Sequence, residues 1–172
     1  MRLELAQCVI RPWRLSDAPA LAKGANNRNV WLNLRDLMPH PYALEDAEAY
    51  LHRVTTADPE QSFCIEVDGT AAGAIGLKAK EDVHRHTAEL GYWLAEPIWG
   101  RGIMTDTVRA FVENRFQALP LYRIFAEVNS NNPASARVLE KAGFEFEGRL
   151  RKNVVKDGQI LDSLLYARIR EE

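Results

Sequence analysis

The sequence of 172 residues contains only two cysteines, Cys8 and Cys64, and neither lies in a CxxC motif or a Cys/His cluster. So few cysteines exclude a disulfide scaffold, and both are expected to be small buried side chains. Metal-ligand patterns are missing as well. His84 and His86 alternate around Arg85, whose positive charge disfavours a cation, and no further ligand stands at regular spacing. We therefore expect no metal site.

Long apolar runs and a strong charge of one sign are also absent. No apolar stretch approaches the roughly 20 residues of a membrane span, and the strand-like start Met1-Arg2-Leu3-Glu4-Leu5 does not resemble a signal peptide. Charged residues of both signs are interspersed along the chain, and the net charge of -2 gives no electrostatic attraction to nucleic acid or an acidic membrane. These features predict a cytoplasmic protein with neither nucleic acid nor a membrane as partner.

Linkers, internal repeats and low-complexity tracts are lacking too, so residues 1–172 are expected to form a single domain. Hydrophobic periodicity predicts the element order β-α-α-β-β-β-α-β-α-β-β. This order fits neither a βαβ alternation nor an all-β fold. It predicts an α+β fold with a mixed, mostly antiparallel sheet covered by helices, whose parallel part lies between Thr87 and Val128.

Local signals support this order at several points. A strand over residues 3–13 precedes a helix for which Ser16 is the expected N-cap. A second helix begins near Ala43, and Asn132 is the expected N-cap of a later helix. Asp68-Gly69 and Asp157-Gly158 are typical of two-residue hairpin turns between strands.

A glycine turn follows the predicted fourth strand, Thr87–Leu94, and leads into a helix. Its residues are Trp99-Gly100-Arg101-Gly102-Ile103-Met104-Thr105. The N–H groups at a helix start suit a phosphate, to which Arg101 and Thr105 could also donate. Two glycines here are equally typical of a plain tight turn. Because GxxxxGK[ST] and GxGxxG are both missing, a nucleotide P-loop and a dinucleotide-binding fold are excluded.

Three blocks of the sequence together resemble the GNAT acetyltransferase superfamily, and within it the RimJ/RimL-like branch of ribosomal-protein N-terminal acetyltransferases. The likeness extends over nearly the whole chain and depends on the order and spacing of the blocks. The blocks are Glu89-Leu90-Gly91-Tyr92-Trp93-Leu94 with the glycine turn, Asn132-Pro133-Ala134-Ser135 continuing to Phe144, and Glu147-Gly148 through Asp157-Gly158 to Tyr166.

This resemblance implies a seven-stranded GNAT-type sheet with helices on both faces, and a wedge where the fourth and fifth strands splay apart. It implies acetyl-CoA as cosubstrate, with pantetheine along Tyr92-Trp93-Leu94 and the pyrophosphate on the turn from Trp99 to Thr105. Asn132 would contact pantetheine, and Ser135 would lie near the thioester sulfur.

Two positions depart from the family pattern. Met104 stands where the family's glycine turn usually ends in a small residue. Leu139 stands where many members have a tyrosine that protonates the departing thiolate, so Ser135 becomes the candidate acid, or the thiolate leaves unaided.

The chemistry of amine acetylation assigns further roles. A base is useful because lysine and α-amines are largely protonated at neutral pH. Glu89 is the candidate base, and the alternative is a strand carboxylate paired with Arg85 or Arg123. A backbone N–H near Trp93 or Leu94 would stabilise the thioester oxygen. Ser135 would donate to the sulfur, unless it is an ordinary serine on a helix surface.

The acceptor would be an amine, and in the family the segment corresponding to Asn26–Tyr42 forms much of its pocket. The candidate pocket residues are Trp31, Asn33, Arg35 and Asp36. The leading interpretation is an N-acetyltransferase acting on a protein N-terminus or a small amine. A polyamine or aminoglycoside acetyltransferase, and a non-catalytic coenzyme A-binding protein, remain open. Exposed strand edges favour a homodimer.

Overall fold

The computed structural model of the chain describes residues 1–171. In this range eight strands form a mixed, mostly antiparallel sheet, accompanied by five α-helices, none of which is long and apolar enough to cross a membrane. The strands are β1 (Leu3–Glu4), β2 (Val9–Arg11), β3 (Ser62–Val67), β4 (Thr70–Ala79), β5 (Thr87–Leu94), β6 (Arg123–Asn129), β7 (Glu145–Lys156) and β8 (Gln159–Ile169). The helices are α1 (Ala18–Ala25), α2 (Arg28–Trp31), α3 (Leu44–Thr55), α4 (Ile103–Ala118) and α5 (Pro133–Lys141).

The α+β class predicted from the sequence is confirmed, although the sheet has eight strands rather than seven. The additional strand arises at the amino terminus, where the single strand expected over residues 3–13 is divided. β1 turns back and pairs antiparallel with β2, so that Leu3 lies opposite Ile10. The turn is closed by the Leu5 N–H, which donates to the Cys8 carbonyl at 2.9 Å.

The chain divides into two compact units. The first contains residues 1–76 and 91–107, and therefore β1 to β3, most of β4, α1 to α3 and the second half of β5. Its core includes the wholly buried Leu21 of α1 and Leu51 of α3, and Trp93 of β5 packs against the same cluster. The β3–β4 hairpin turns at Asp68-Gly69 as predicted.

The prediction of Ser16 as the N-cap of the first helix is wrong. Ser16 lies inside a 3₁₀ turn, Leu15–Asp17, and Asp17 occupies the N-cap position of α1. The Asp17 carboxylate accepts a hydrogen bond from the Arg14 N–H at 2.9 Å. It is held in this place by a second and stronger interaction with a buried arginine.

A buried ion cluster joins β2, β3 and the start of α1. Arg11 is 2% exposed, and it donates to both carboxylate oxygens of Asp17 at 2.8 Å and also to Glu66. Burial raises the pKa of Asp17, but hydrogen bonds from Arg11 and from the Arg14 N–H outweigh it and hold that pKa below its usual value. The cluster satisfies a guanidinium that would otherwise be buried without a counter-charge.

The second unit contains residues 77–90 and those from Val108 onward. β5 and β6 pair in parallel over three residue pairs, the last being Glu89 opposite Phe125. β6 pairs antiparallel with β8, and β8 with β7, which is the edge strand. The β7–β8 hairpin turns at Asp157-Gly158 as predicted, with both residues in the left-handed region at φ 51° and 72°.

Asp17→Asn is expected to lower the free energy of unfolding at neutral pH by about 3 kcal/mol, because it removes one of the two charged partners of the buried Arg11 guanidinium and leaves only Glu66. Since the folded-state pKa of Asp17 is depressed, its contribution is complete above the unfolded-state pKa and is lost as the pH falls through the folded-state pKa. Urea unfolding of both proteins at neutral and acidic pH measures this, and the difference should shrink in acid. Glu4→Gln, at the exposed Arg2–Glu4 pair, is the control and should change little. Equal stability of wild type and Asp17→Asn at neutral pH would contradict the assignment.

Candidate active site

The end of β5 directs its backbone groups to two sides. The Trp93 carbonyl faces β4, since a Cβ at Gly73 would lie only 2.3 Å from its oxygen, and the Ala95 N–H donates to a β4 carbonyl at 2.8 Å. Alternate residues of a strand direct their N–H and C=O groups to opposite sides. Tyr92 and Leu94 therefore direct theirs away from β4. Trp93 and Leu94 were the two residues predicted to donate a backbone N–H to the thioester oxygen. Of these, only Leu94 has an N–H directed away from β4.

The chain leaves β5 through a 3₁₀ turn, Glu96–Ile98, and enters the glycine turn at Trp99. The Trp99 indole Nε1 donates to the Leu94 carbonyl at 2.6 Å, which fixes the turn to the strand end. Gly100 and Gly102 have φ values of 76° and 80°, a region that costs other residues about 1–2 kcal/mol. A Cβ at either glycine would meet no atom within 4 Å. Backbone conformation, and not close packing within the protein, requires glycine here.

The first turn of α4 supplies N–H groups next to these glycines. The first helical hydrogen bond runs from the Asp106 N–H to the Gly102 carbonyl at 3.3 Å. The three preceding N–H groups, of Ile103, Met104 and Thr105, therefore have no helical acceptor. Ile103 is buried and anchors the helix start, while Met104 and Thr105 are half-buried. A helix start of this kind favours an anion.

Arg101 is exposed at the centre of the glycine turn and borders an open pocket of about 350 Å³. Gln7 and Cys8 of the amino-terminal loop and the β3–β4 turn form other parts of its wall. The Gln7 side chain donates to the Arg101 carbonyl at 3.1 Å, so the loop fixes the backbone of the turn. The guanidinium group is thereby presented at the surface beside the helix start, where it could contact an anion.

Glu89 lies on the part of β5 that belongs to the second unit. Its side chain is 13% exposed, and its Oε2 accepts from Lys80 Nζ at 3.3 Å. The Lys80 ammonium also lies over the Phe125 ring, 5.2 Å from its centroid. Arg85 and Arg123, the partners considered from the sequence, donate to other groups. Glu89 is therefore a shielded carboxylate whose counter-ion is the Lys80 ammonium.

Asn132 and Ser135 meet at the start of α5. Asn132 Oδ1 accepts from the Ser135 N–H at 3.2 Å, which confirms the predicted N-cap. Both residues are half-buried. Leu139, one turn further along, is wholly buried in the core. The position where many GNAT enzymes have a tyrosine therefore packs the interior and provides no hydroxyl.

Sequence reasoning missed Glu127, which lies on the same face of β6 as Phe125. Its Oε2 accepts from Asn153 Nδ2 at 3.0 Å and from Ser163 Oγ at 3.2 Å. The alternation of buried and exposed residues in β6 could have placed Glu127 on the exposed face. Its partners could not be foreseen, because a β-bulge that no sequence pattern marks brings Asn153 to it.

The segment Asn26–Tyr42 is closed at its base. Asn26 Oδ1 accepts from the Tyr42 N–H at 3.0 Å, and Tyr42 is buried. Inside the segment, Asn27 caps α2 by accepting from the Val30 N–H at 3.1 Å. This short helix was not predicted, since the sequence indicated only the end of α1 at this point. Asparagine is, however, a preferred N-cap residue, so Asn27 itself is a signal that could have indicated it.

The predicted pocket residues of this segment differ in their surroundings. Trp31 stacks on His40 with 5.4 Å between ring centroids, and the Arg28 guanidinium lies 5.7 Å from the Trp31 ring centroid. Its aromatic surface is therefore already in contact with protein groups. The other three predicted residues are exposed: Asn33, Arg35 and Asp36.

No group of three or more His, Cys, Asp or Glu side chains in residues 1–171 is arranged to hold a metal ion. His84 ends a 3₁₀ turn, Asp82–His84. The His86 ring packs against Tyr122, with 5.1 Å between ring centroids, and its Nδ1 hydrogen bonds with the Pro120 carbonyl.

Comparison with known families gives one match over most of the chain. The model of a domain described as "Acetyltransferase (GNAT) domain" matches residues 7–145, a range that runs through both compact units.

Two curated relatives indicate the range of activities among similar proteins. The ribosomal-protein-serine acetyltransferase of Escherichia coli (strain K12) is 33% identical over 107 residues, which is 62% of this chain and 59% of that protein. The spermidine N(1)-acetyltransferase of the same organism is 26% identical over 157 residues, which is 90% of this chain and 82% of that protein. Against four curated Bacillus relatives, the chain spans 40% to 57% of their length, with up to 51% identity over 72 residues.

Solved structures share the whole fold. Mycobacterium smegmatis RimJ, in complex with CoA-disulfide, superimposes with a TM-score of 0.82 at 28% sequence identity. The match covers 94% of this chain and 81% of that one.

Proposed function

The chain belongs to the acetyltransferase (GNAT) family, and on that premise we propose that it transfers an acetyl group from acetyl-CoA to a primary amine. The resemblance to RimJ/RimL-like acetyltransferases drawn from the sequence is confirmed by the family match and the relatives. The observation that carries the proposal is the turn after β5, where two glycines with positive φ expose the start of α4. This arrangement suits the pyrophosphate of a coenzyme A molecule.

The donor would lie along the end of β5. The pyrophosphate would accept from the N–H groups of Ile103, Met104 and Thr105, with Arg101 adding a charged donor. The Met104 side chain need not interfere, because only its backbone N–H is used. Pantetheine would lie along Tyr92-Trp93-Leu94 and pair with Tyr92, whose N–H and C=O groups point away from β4. The Leu94 carbonyl already accepts from Trp99, which leaves the Leu94 N–H for the thioester oxygen. The backbone of Trp93 faces β4, so Trp93 would hold the strand in place and would not hydrogen bond to pantetheine.

The reaction forms a C–N bond between the amine and the acetyl carbon and breaks the C–S bond of the thioester. We assign the proton released by the attacking amine to Glu89, directly or through water. The developing oxyanion would accept from the Leu94 N–H. Asn132 would contact pantetheine through its amide, while its Oδ1 caps α5.

The leaving thiolate needs a proton from a group other than residue 139, because Leu139 is buried and has no hydroxyl. We propose Ser135 as the group that donates a hydrogen bond to the sulfur. Its place as the third residue of α5 adds the positive end of the helix dipole, which stabilises a thiolate.

We propose the α-amine of a protein N-terminus as the acceptor class. The relative named as a ribosomal-protein-serine acetyltransferase supports this choice. The acceptor segment Asn26–Tyr42 carries Arg28 and Arg35 against the single carboxylate Asp36, so it offers few carboxylates of its own to bind a polycation such as spermidine. An α-amine also has a lower reference pKa, about 8, than an alkyl amine, so less work is required of the base.

Two further properties belong to the same proposal. The cytoplasm is the expected compartment, because both cysteines are free and buried thiols suit a reducing environment. A homodimer could form at β7, since this edge strand has mostly exposed residues.

The activity is tested by mixing the protein with acetyl-CoA and, separately, a hexapeptide with a free N-terminal serine, spermidine and an aminoglycoside, and following thiol release. Release with the peptide, at least tenfold faster than with spermidine, is expected. Release with spermidine alone would move the acceptor to polyamines. Tight acetyl-CoA binding without thiol release from any amine would contradict the proposed catalysis and favour a non-catalytic coenzyme A-binding protein.

Gly102→Glu is expected to weaken acetyl-CoA binding at least 100-fold, because a carboxylate would stand where the pyrophosphate is proposed to bind. Isothermal titration calorimetry measures the affinity. Gly158→Glu is the matched control, since it introduces the same side chain at a similar positive φ in the β7–β8 turn, with no atom near its Cβ. Both variants should lose similar stability, but only Gly102→Glu should lose affinity. An unchanged affinity in Gly102→Glu would exclude the phosphate assignment.

Glu89→Gln is expected to lower kcat/KM at neutral pH by about 100-fold and to shift the pH–rate profile to higher pH, where the amine loses its proton without a base. Stopped-time thiol assays across the pH range, together with a thermal melt to verify folding, measure both effects. Glu147→Gln, which removes a carboxylate paired with Arg123, serves as the control. A profile identical to that of the wild type would remove Glu89 from the mechanism.

A further inference from the structure

The Glu96 carboxylate connects the turn after β5 with the acceptor segment. Its Oε2 accepts from Asn27 Nδ2 at 2.6 Å, and its Oε1 accepts from Asn29 Nδ2 at 2.7 Å. Both carboxylate oxygens are thus bound by amides 67 and 69 residues away in the chain. No sequence pattern around Glu96 or around the two asparagines indicates this contact.

On the acceptor side, Asn27 is the N-cap of α2 and Asn29 lies within that helix. Asn27 uses its side chain twice, since Oδ1 caps the helix at the Val30 N–H while Nδ2 binds Glu96. The Asn29 carbonyl accepts from Asn33 Nδ2 at 2.9 Å, so the link extends further into the segment. α2 ends at Trp31, one of the predicted acceptor-pocket residues. Glu96 therefore fixes both the start and the orientation of this helix.

On the donor side, Glu96 begins the short turn that leads to the glycines. The Trp99 N–H donates to the Glu96 carbonyl at 3.0 Å, and the Trp99 side chain is bound to Leu94. Gly100 follows directly. Because Trp99 is hydrogen bonded to Glu96 across this short turn, we expect a displacement of Trp99 or Gly100 to move Glu96 as well.

The chemistry of the link also favours a positioning role. The hydrogen bonds from Asn27 and Asn29 lower the pKa of Glu96, so the carboxylate stays ionised. The two amide donors bind one carboxylate oxygen each and so fix the orientation of the carboxylate. A surface ion pair with a lysine would constrain it less.

We propose that Glu96 is a positioning residue that couples the coenzyme A-binding turn to the acceptor segment, so that donor binding orders α2 for the amine. This inference rests on the proposed function for its description of the two ligands. It implies that the acceptor binds more tightly once the donor is present, by the linkage that joins any two ligands favouring the same conformation.

The test uses a donor–acceptor exchange between positions 96 and 27. Glu96→Gln and Asn27→Asp should each raise KM for the serine hexapeptide about tenfold, the loss expected for a charge-assisted hydrogen bond, with kcat and the acetyl-CoA affinity within twofold of wild type. Asn27→Asp keeps the Oδ1 that caps α2, so its effect does not come from the cap. The double variant Glu96→Gln/Asn27→Asp restores the pair with the direction reversed, and KM should return to within threefold of wild type.

Amide hydrogen exchange provides a readout that does not need catalysis. Saturating coenzyme A should slow exchange in residues 28–34 of the wild type and of the double variant at least threefold, and leave these residues unchanged in Glu96→Gln. If the peptide is not acetylated but this protection is seen, the coupling stands and the proposed acceptor fails. Equal protection in wild type and Glu96→Gln, or no rescue in the double variant, would overturn the inference.

Discussion

Two backbone angles determine what the end of β5 can do. Gly100 and Gly102 both lie in the left-handed region, and both stand in the exposed turn that leads into α4. Residues other than glycine would resist either angle. The turn is supported on one side by the Trp99 indole and on the other by Gln7. The exposed helix start, and with it the donor assignment, depends on these two conformations.

The elements that local rules govern were predictable. The hairpin turns at Asp68-Gly69 and Asp157-Gly158, the cap at Asn132 and the helix start near Ala43 follow from residues adjacent in the chain, and the structure has each of them. Ser16 failed as a cap because a tertiary demand prevailed, namely the need of the buried Arg11 for Asp17. Local preference is worth about 1 kcal/mol, less than a buried guanidinium requires.

The parts of the site that could not be predicted are contacts between distant segments. Lys80 replaced the arginines considered as partners of Glu89, because it follows β4 and is brought to β5 by the sheet. Glu127 gained its donors through a bulge, and Glu96 gained its own from a helix too short for periodicity to reveal. Patterns in a single sequence show which residues share a face of one strand or helix. They do not show which strand edges or loops come into contact in the fold.

The closure of the segment Asn26–Tyr42 at its base has a consequence for how acceptor preference could change over evolution. One hydrogen bond from the Tyr42 N–H to Asn26 joins the two ends of the segment, and the buried Tyr42 fixes them to the core. The residues between these ends therefore form a loop whose ends are held in place. If the segment forms the acceptor pocket as proposed, replacement of its exposed residues would alter what the enzyme recognises while the buried Val30 and Tyr42 kept their packing. Selection could therefore exchange substrates by rewriting a single short stretch of the gene.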